Sequence, residues 1–244
     1  MTEVRVIGAG LAGSEAAFQL AKRGYRVRLY EQKGIKRHPA FKTDSFSELI
    51  CSNSLRSDDP ANAVGLLKEE MRILDSLIMK AADSYRIPAG KSLAVDRNGF
   101  SAYITEVISN HPNITVIREE VTSIDEAVPT IIAAGPLCEG KLAEEIGRIC
   151  GKDFLHFYDA VSPIVEKDSI DFEHAYYKSR YDDENPGDYI NCPLSKEEFQ
   201  IFYDAVLNAR KIAVHDIDDE SISKAACLLK RWREEDTKHC FSVQ

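Results

Sequence analysis

The sequence predicts an α/β fold that is built on a parallel sheet and carries a smaller inserted α+β region. Three observations predict it: a short β-rich run that ends in closely spaced glycines, an apolar pattern at helical spacing directly after them, and strand-like and helix-like segments that alternate further along. This alternation is typical of parallel sheets, because parallel strands are usually joined by crossover helices.

The first 32 residues carry the clearest pattern. A strand over Glu3–Ile7 runs into the glycine-rich turn Gly8–Gly13, and a helix over Ser14–Arg23 follows. Tyr25–Tyr30 then alternates into a second strand, which ends at Glu31. A strand, a G-x-G-x-x-G turn, a helix, a strand and an acid in this order predict a Rossmann-like dinucleotide-binding unit.

Each part of this unit has a chemical reason. Gly8 allows a tight turn, Gly10 leaves room for a pyrophosphate, and Gly13 lets the helix pack close to the strand. The helix N-terminus offers free N–H groups to phosphate, and Glu31 can accept hydrogen bonds from ribose hydroxyls. The predicted cofactor-binding residues are Gly8, Ala9, Gly10, Leu11, Ala12, Gly13 and Glu31.

The carboxylate of Glu31 would repel a 2′-phosphate, so the pattern favours FAD or NAD over NADP. Residues 130–136 read Thr-Ile-Ile-Ala-Ala-Gly-Pro, which is similar to the strand and Ala-x-Gly turn beside the nucleotide in many flavoproteins. The same run also suits an ordinary buried strand that ends in a tight turn. We favour FAD, and the remaining alternative is a glycine-rich turn without a ligand.

The rest of the chain is predicted more coarsely. Residues 33–60 form a long polar connection, and long loops in compact domains are often functional. The helix over Ala63–Tyr85 is expected to bury an apolar face, which consists of Leu66, Leu67, Ile73, Leu74, Leu77 and Ile78. The other predicted helices are Phe100–Ser109, Lys141–Cys150 and Lys196–Arg210, and the other strands are Ile114–Arg118, Val121–Ile124 and the buried strand within Thr130–Gly135.

Composition limits the function classes. The chain has 244 residues, 44% of them hydrophobic, and a formal net charge of −9, which argues against a broad electrostatic grip on nucleic acid. No apolar run approaches the roughly 18 residues that a membrane span needs, and no leader precedes the first strand, so we expect a soluble, cytoplasmic protein. The six cysteines form no CxxC pair; we therefore predict free thiols and no metal site.

A second run identifies a family. Glu48–Arg56 reads Glu-Leu-Ile-Cys-Ser-Asn-Ser-Leu-Arg, and together with Val6–Ala17 it resembles TrmFO, the bacterial folate- and FAD-dependent tRNA (uracil-5-)-methyltransferases related to GidA. The resemblance covers about residues 2–215 in colinear order. Further matching runs are Ile87–Gly90, Leu93–Arg97, Phe157–Ala160, Pro163–Val165, Tyr189–Pro193, Glu197–Phe199 and Leu207–Ala209.

The resemblance implies an enzyme that forms 5-methyluridine in the tRNA T-loop. It implies that methylenetetrahydrofolate supplies the carbon, that FAD is the cofactor and that NADPH or NADH supplies reducing equivalents. The family uses two cysteines: a thiolate that adds at uracil C6 activates C5, and a base later removes the C5 proton. Cys51 matches the first cysteine, and Arg56 could lower its pKa or contact phosphate. Cys227 lies near the place of the second, although its neighbours do not match.

The resemblance also implies a chain of about twice this length. We therefore expect an incomplete FAD-binding domain over residues 1–137, the start of an inserted substrate domain over 138–215, and a divergent tail over 216–244. An alternative function is a truncated dinucleotide-binding fragment without catalysis, in which Cys51 is a structural thiol. An NAD-linked oxidoreductase of another kind lacks support, because no catalytic His or Tyr-x-x-x-Lys signature is found.

Overall fold

A computed structural model describes residues 2–50, 52–136, 138–151, 166–178 and 189–208. The strands are β1 (Glu3–Ile7), β2 (Arg26–Glu31), β3 (Ser54–Ser57), β4 (Arg86–Ile87), β5 (Ser92–Val95), β6 (Ile114–Arg118), β7 (Thr130–Ile132), β8 (Tyr176–Tyr177) and β9 (Ile190–Asn191). The helices are α1 (Leu11–Lys22), α2 (Ala63–Ile73), α3 (Leu77–Ser84), α4 (Arg97–Ser109), α5 (Lys141–Cys150) and α6 (Lys196–Asn208), with a 3-10 turn at Lys167–Ser169.

Four parallel strands form the main sheet, in the order β6-β2-β1-β7. In this register Val6 of β1 lies beside Leu29 of β2 on one side and Ile131 of β7 on the other. Because the strands are parallel, their carboxyl ends meet at one edge of the sheet. That edge brings together the glycine turn after β1, Glu31 at the end of β2 and Ala133 after β7. The predicted α/β class with a parallel sheet is confirmed.

Helices α1 and α4 lie against this sheet, α3 packs against both of these helices, and a small antiparallel sheet, β3-β5-β4, contacts α2 and α3. The core lies between these parts; its largest fully buried side chains are Phe46, Phe100, Leu29, Leu77, Leu93, Ile104 and Ile108. Helix α4 begins at Arg97, earlier than predicted, because the Asp96 carboxylate accepts hydrogen bonds from the N–H groups of Asn98 and Gly99 and caps the helix.

The single helix predicted over Ala63–Tyr85 is wrong, because the chain breaks into α2 and α3. Asp75 has a φ of 61°, which a continuing helix cannot accommodate. Ser76 then caps α3, since its hydroxyl accepts a hydrogen bond from the Met79 N–H. The break is held by Glu15 of α1, whose carboxylate accepts hydrogen bonds from the Ser76 hydroxyl at 2.8 Å and the Ile78 N–H at 2.9 Å.

The expected apolar face of this region is only partly buried. Leu77 and Ile78 of α3 are buried, whereas Ile73 of α2 is 78% exposed. The other exposed members of the predicted face are Leu66, Leu67 and Leu74. The prediction was wrong for α2 because periodicity shows that a helix has an apolar face and does not show what lies against it.

Two strand predictions also need correction. β7 covers Thr130–Ile132 and is not buried: it is an edge strand with one neighbour, and Ile131 and Ile132 are 38% and 39% exposed. Val121–Ile124 forms no strand. Beyond the hydrogen bond from the Glu119 N–H to the Glu31 carbonyl, β2 has ended, so no strand lies alongside this segment to pair with it.

The later part of the chain is described in pieces. β8 and β9 pair as a short antiparallel ladder with Tyr176 opposite Asn191, and α6 follows. The tail over 216–244 and all of residues 157–165 lie outside the described residues. Within the described ranges, every helix is too short or too polar to cross a lipid bilayer.

Candidate dinucleotide-binding site

The glycine turn has the geometry that its sequence predicts. Gly8 has a φ of 97°, and a side chain there would overlap the Ala133 carbonyl oxygen. A side chain at Gly13 would overlap the Gly8 carbonyl oxygen, so this glycine allows α1 to pack directly on the turn. A Cβ at Gly10 would meet no heavy atom within 4 Å. Gly10 therefore leaves open space at the point where a phosphate group would approach.

Helix α1 begins at this open space without a side-chain cap. Gly10 is its N-cap residue and provides no side-chain acceptor, while the Ser14 N–H makes the first helical hydrogen bond to the Gly10 carbonyl at 2.9 Å. The N–H groups of the first turn and the positive end of the helix dipole are therefore available to an anion. Gly10, Leu11 and Ala12 all line the adjoining cleft.

Glu31 lies at the end of β2, beside the turn, and is buried. Its Oε2 accepts a hydrogen bond from the Ala9 N–H at 2.8 Å, and its Oε1 accepts one from the Lys33 N–H at 2.9 Å. Each carboxylate oxygen can accept a second hydrogen bond. Glu31 is part of the cleft wall, so these remaining acceptor positions can serve a ribose hydroxyl.

The cleft runs along the carboxyl ends of β1, β2 and β7. Its cavity volume is about 360 Å³, which lies within the roughly 300–1,000 Å³ typical of small-molecule sites. Residues 133–136 form the wall opposite Glu31, as the Ala-x-Gly turn suggested. The sequence-predicted residues in the wall are Gly8, Gly10, Leu11, Ala12 and Glu31. Ala9 and Gly13 lie beneath them.

Residues 33–50 complete the cleft, and sequence reasoning singled out none of their side chains. The wall includes Lys33, Phe41, Glu48 and Ile50. The Ser47 N–H donates a hydrogen bond to the Ala9 carbonyl at 2.9 Å, so this loop rests on the glycine turn itself. The available signal was the polar length of 33–60, which indicated a functional loop without indicating which residues matter.

The electrostatics of the wall are mainly acidic. Burial lowers the pKa of Lys33, although the charges of Glu31 and Glu48 act in the opposite direction. Burial, followed by the charge of Glu139, raises the pKa of the Cys138 thiol. At neutral pH Cys138 is therefore protonated, which makes it a poor nucleophile. The main positive feature facing a bound anion is the N-terminus of α1.

The two predicted catalytic cysteines, Cys51 and Cys227, lie outside the described residues. Ile50, directly before Cys51, is part of the cleft wall, and Ser52 after it is exposed. Arg56 is also exposed and has a φ of 69°, at a register shift between β3 and β5. The described residue of this run that lies in the cleft wall nearest to position 51 is therefore Ile50.

Comparisons of the chain with a family model and with curated proteins agree on its family. The chain matches the family model described as glucose inhibited division protein A over residues 3–237. It is 59% identical over 218 residues to methylenetetrahydrofolate–tRNA-(uracil-5-)-methyltransferase TrmFO of Anoxybacillus flavithermus, covering 89% of this chain and 50% of that protein. The TrmFO of Bacillus licheniformis is 56% identical over 217 residues, with the same coverage.

Among solved structures, the chain is similar to GidA of Aquifex aeolicus, with 23% identity and a TM-score of 0.41. That similarity covers 50% of this chain and 20% of the other. The chain spans about half the length of the curated relatives it matches.

Proposed function

Because the chain belongs to the glucose inhibited division protein A family, we propose that it acts as a folate- and FAD-dependent tRNA (uracil-5-)-methyltransferase. The proposed product is 5-methyluridine in the T-loop of tRNA, with the carbon from 5,10-methylenetetrahydrofolate and reducing equivalents from NADPH or NADH. We place this activity in the cytoplasm. The observation that carries the proposal is the 59% identity to a TrmFO over 89% of this chain.

The described residues fit the adenosine and pyrophosphate end of FAD. The pyrophosphate would lie over Gly10 at the N-terminus of α1, where no side chain blocks its approach. The free acceptor positions of Glu31 would bind the ribose hydroxyls, and its charge would disfavour a 2′-phosphate. FAD, when bound, supplies the redox chemistry. This chain's own contribution is to hold and orient it.

The proposed nucleophile is Cys51. Its thiolate would add to uracil C6 and so raise the electron density at C5, and a base would afterwards remove the C5 proton. Cys227 is the proposed second cysteine, and Arg56 is the group that could lower the pKa of Cys51 or contact phosphate. These roles rest on the family resemblance, since both cysteines lie outside the described residues.

The test is methylation of tRNA by the purified chain. The assay contains tRNA, methylenetetrahydrofolate and NADPH, and the product is measured as 5-methyluridine by mass spectrometry. We expect a yellow protein whose methylation is lost in Cys51→Ala while FAD stays bound. Gly10→Val should lose FAD as well, because the added side chain fills the phosphate position. A colourless wild-type chain that forms no 5-methyluridine would refute the activity for this chain.

A second candidate is a dinucleotide-binding fragment without catalysis. One observation favours it: the edge strand β7 leaves Ile131 and Ile132 exposed beside the cleft. This candidate predicts FAD binding without a tRNA product. Titration followed by flavin fluorescence, together with the methylation assay, separates the two candidates.

A further inference from the structure

We propose that Lys33 and Glu48 are positioning residues that couple dinucleotide binding to the conformation of residues 42–50. This segment leads directly into Cys51, so the coupling would make the approach to the proposed nucleophile depend on the bound cofactor. The inference rests on the proposed function. It stands on two physical links between the glycine turn and the segment.

The first link is the backbone of Ala9. Its N–H donates to Glu31, and its carbonyl accepts hydrogen bonds from the Ser47 N–H at 2.9 Å and the Ser14 hydroxyl at 3.2 Å. Ser47 is fully buried and has a φ of 51°, and among the described residues its hydroxyl has no hydrogen-bond partner. This conformation is unfavourable for Ser47 itself and therefore depends on the surrounding contacts, including the turn.

The second link is Lys33, whose side chain is 5% exposed. The Lys33 N–H donates to Glu31, while its ammonium group contacts the Ser45 carbonyl and lies 3.6 Å from Glu48. The Glu48 carboxylate in turn accepts the Lys42 N–H at 2.8 Å. Lys33 thus connects the carboxylate that faces the ribose to both ends of the segment.

These two links predict how a bound dinucleotide changes the conformation of residues 42–50. A ribose hydroxyl bound to Glu31 and a phosphate bound at the turn would both favour the arrangement of Glu31 and Ala9 that Lys33 and Ser47 require. A ligand that binds one conformation better shifts the population toward it. The effect is reciprocal, so a substitution that removes the ligand-dependent part of the segment's stability must raise the Kd of the dinucleotide by the same factor.

Arg118 of β6 provides a contrasting anchor. Its guanidinium donates to the carbonyls of Lys33 at 3.1 Å and Asp44 at 3.0 Å, and lies over the Phe46 ring. It reaches the segment from the sheet without involving the Glu31 carboxylate. Loss of Arg118 should therefore loosen residues 42–50 equally with and without ligand, as a purely structural contact does.

The experiment measures amide hydrogen exchange of residues 42–50 with and without FAD, together with the Kd of FAD. In wild type we expect FAD to slow this exchange about 5- to 10-fold, within the range of typical site-to-site couplings. In Lys33→Met and Glu48→Gln the slowing should fall below about 2-fold, and the Kd should rise by the lost factor. Lys33→Arg should restore part of the coupling, because it restores the positive charge.

Two controls separate coupling from general damage. Lys22→Met removes another lysine, one that pairs with Asp75 at the C-terminal end of α1, and should leave the slowing unchanged. Arg118→Met should speed exchange in both states by the same factor. Exchange in α4 and the melting temperature identify any variant that is unfolded, and Glu48→Gln decides the matter if Lys33→Met does not fold.

The outcomes are distinct. Wild type that binds FAD while exchange at 42–50 stays unchanged overturns the coupling and leaves the proposed function intact. Variants that keep the full FAD-dependent slowing overturn it as well. A wild-type chain that binds no FAD refutes both the coupling and the FAD-dependent function.

Discussion

Helices α2 and α3 follow each other in the chain, and both carry an apolar face, yet they differ in what that face contacts. Leu77 at the start of α3 is 1% exposed and belongs to the core beneath the glycine turn, whereas Ile73 at the end of α2 is 78% exposed. The same contrast separates β1 from β7. Val6 is fully buried, and Ile131, its neighbour in the sheet, is 38% exposed.

The difference shows which apolar surfaces are buried by other described parts of this chain. The β1–turn–α1–β2 unit is covered by α3, α4 and residues 42–50, all of which come from the first 110 residues. The apolar faces of α2 and β7 have no such cover among the described residues. Exposed apolar patches of this kind mark interaction surfaces.

The largest expected effect tests this contrast directly. Leu77→Ala should lower the free energy of unfolding by about 2–5 kcal/mol, because it removes buried methyl groups and leaves a cavity. Ile73→Ala, the matched change four residues earlier, should alter it by no more than about 0.5 kcal/mol, because its side chain is already in water. Urea denaturation of both variants gives the comparison.

Equal losses in the free energy of unfolding for Leu77→Ala and Ile73→Ala would contradict the contrast between the two helices. They would mean that Ile73 is buried in solution, for example by self-association of the protein. Measuring the Ile73→Ala effect at two protein concentrations would then reveal the association, because the stability of an oligomer depends on concentration.

A smaller effect is expected within the glycine turn itself. Gly13→Ala should destabilise the fold by about 1–3 kcal/mol, since the new methyl group overlaps the Gly8 carbonyl oxygen and α1 must move away. Gly10→Ala should leave the free energy of unfolding nearly unchanged, because its methyl group meets no atom within 4 Å. The same substitution should weaken the binding of FAD. Thermal unfolding and FAD titration of both variants separate packing from binding.

The reverse pattern would refute the assigned glycine roles. If Gly13→Ala unfolded no more easily than Gly10→Ala, the close contact between α1 and the turn would not be stabilising. If Gly10→Ala bound FAD as tightly as wild type, the pyrophosphate would not lie over Gly10.

The sequence predicted the local structural units well, and it predicted the contacts between distant parts of the chain poorly. The glycine turn, its flanking strands and Glu31 are encoded by neighbouring residues, so their geometry could be anticipated, and the family resemblance drawn from the Cys51 run is confirmed. The break at Asp75 was missed because it depends on Glu15, which is distant in the chain. Lys33 and Glu48 were missed for the same reason, because their proposed positioning role depends on burial that no local pattern shows.

The smallest expected effect lies at the joint between the two contrasting helices. Hydrogen bonds from Lys22 and Lys80 lower the pKa of Asp75 to about 2, from an ordinary value of 3.8. Because the folded-state pKa is depressed, the stabilisation is present above about pH 4 and is lost as the pH falls toward 2.

Asp75→Asn should therefore lower the melting temperature at pH 6 by a small amount, since exposed ion pairs contribute little. At pH 2 its melting temperature should approach that of wild type. A difference that stays constant from pH 6 to pH 2 would mean that Asp75 acts through its backbone conformation, and its charge would then have no part in stabilising the break between α2 and α3.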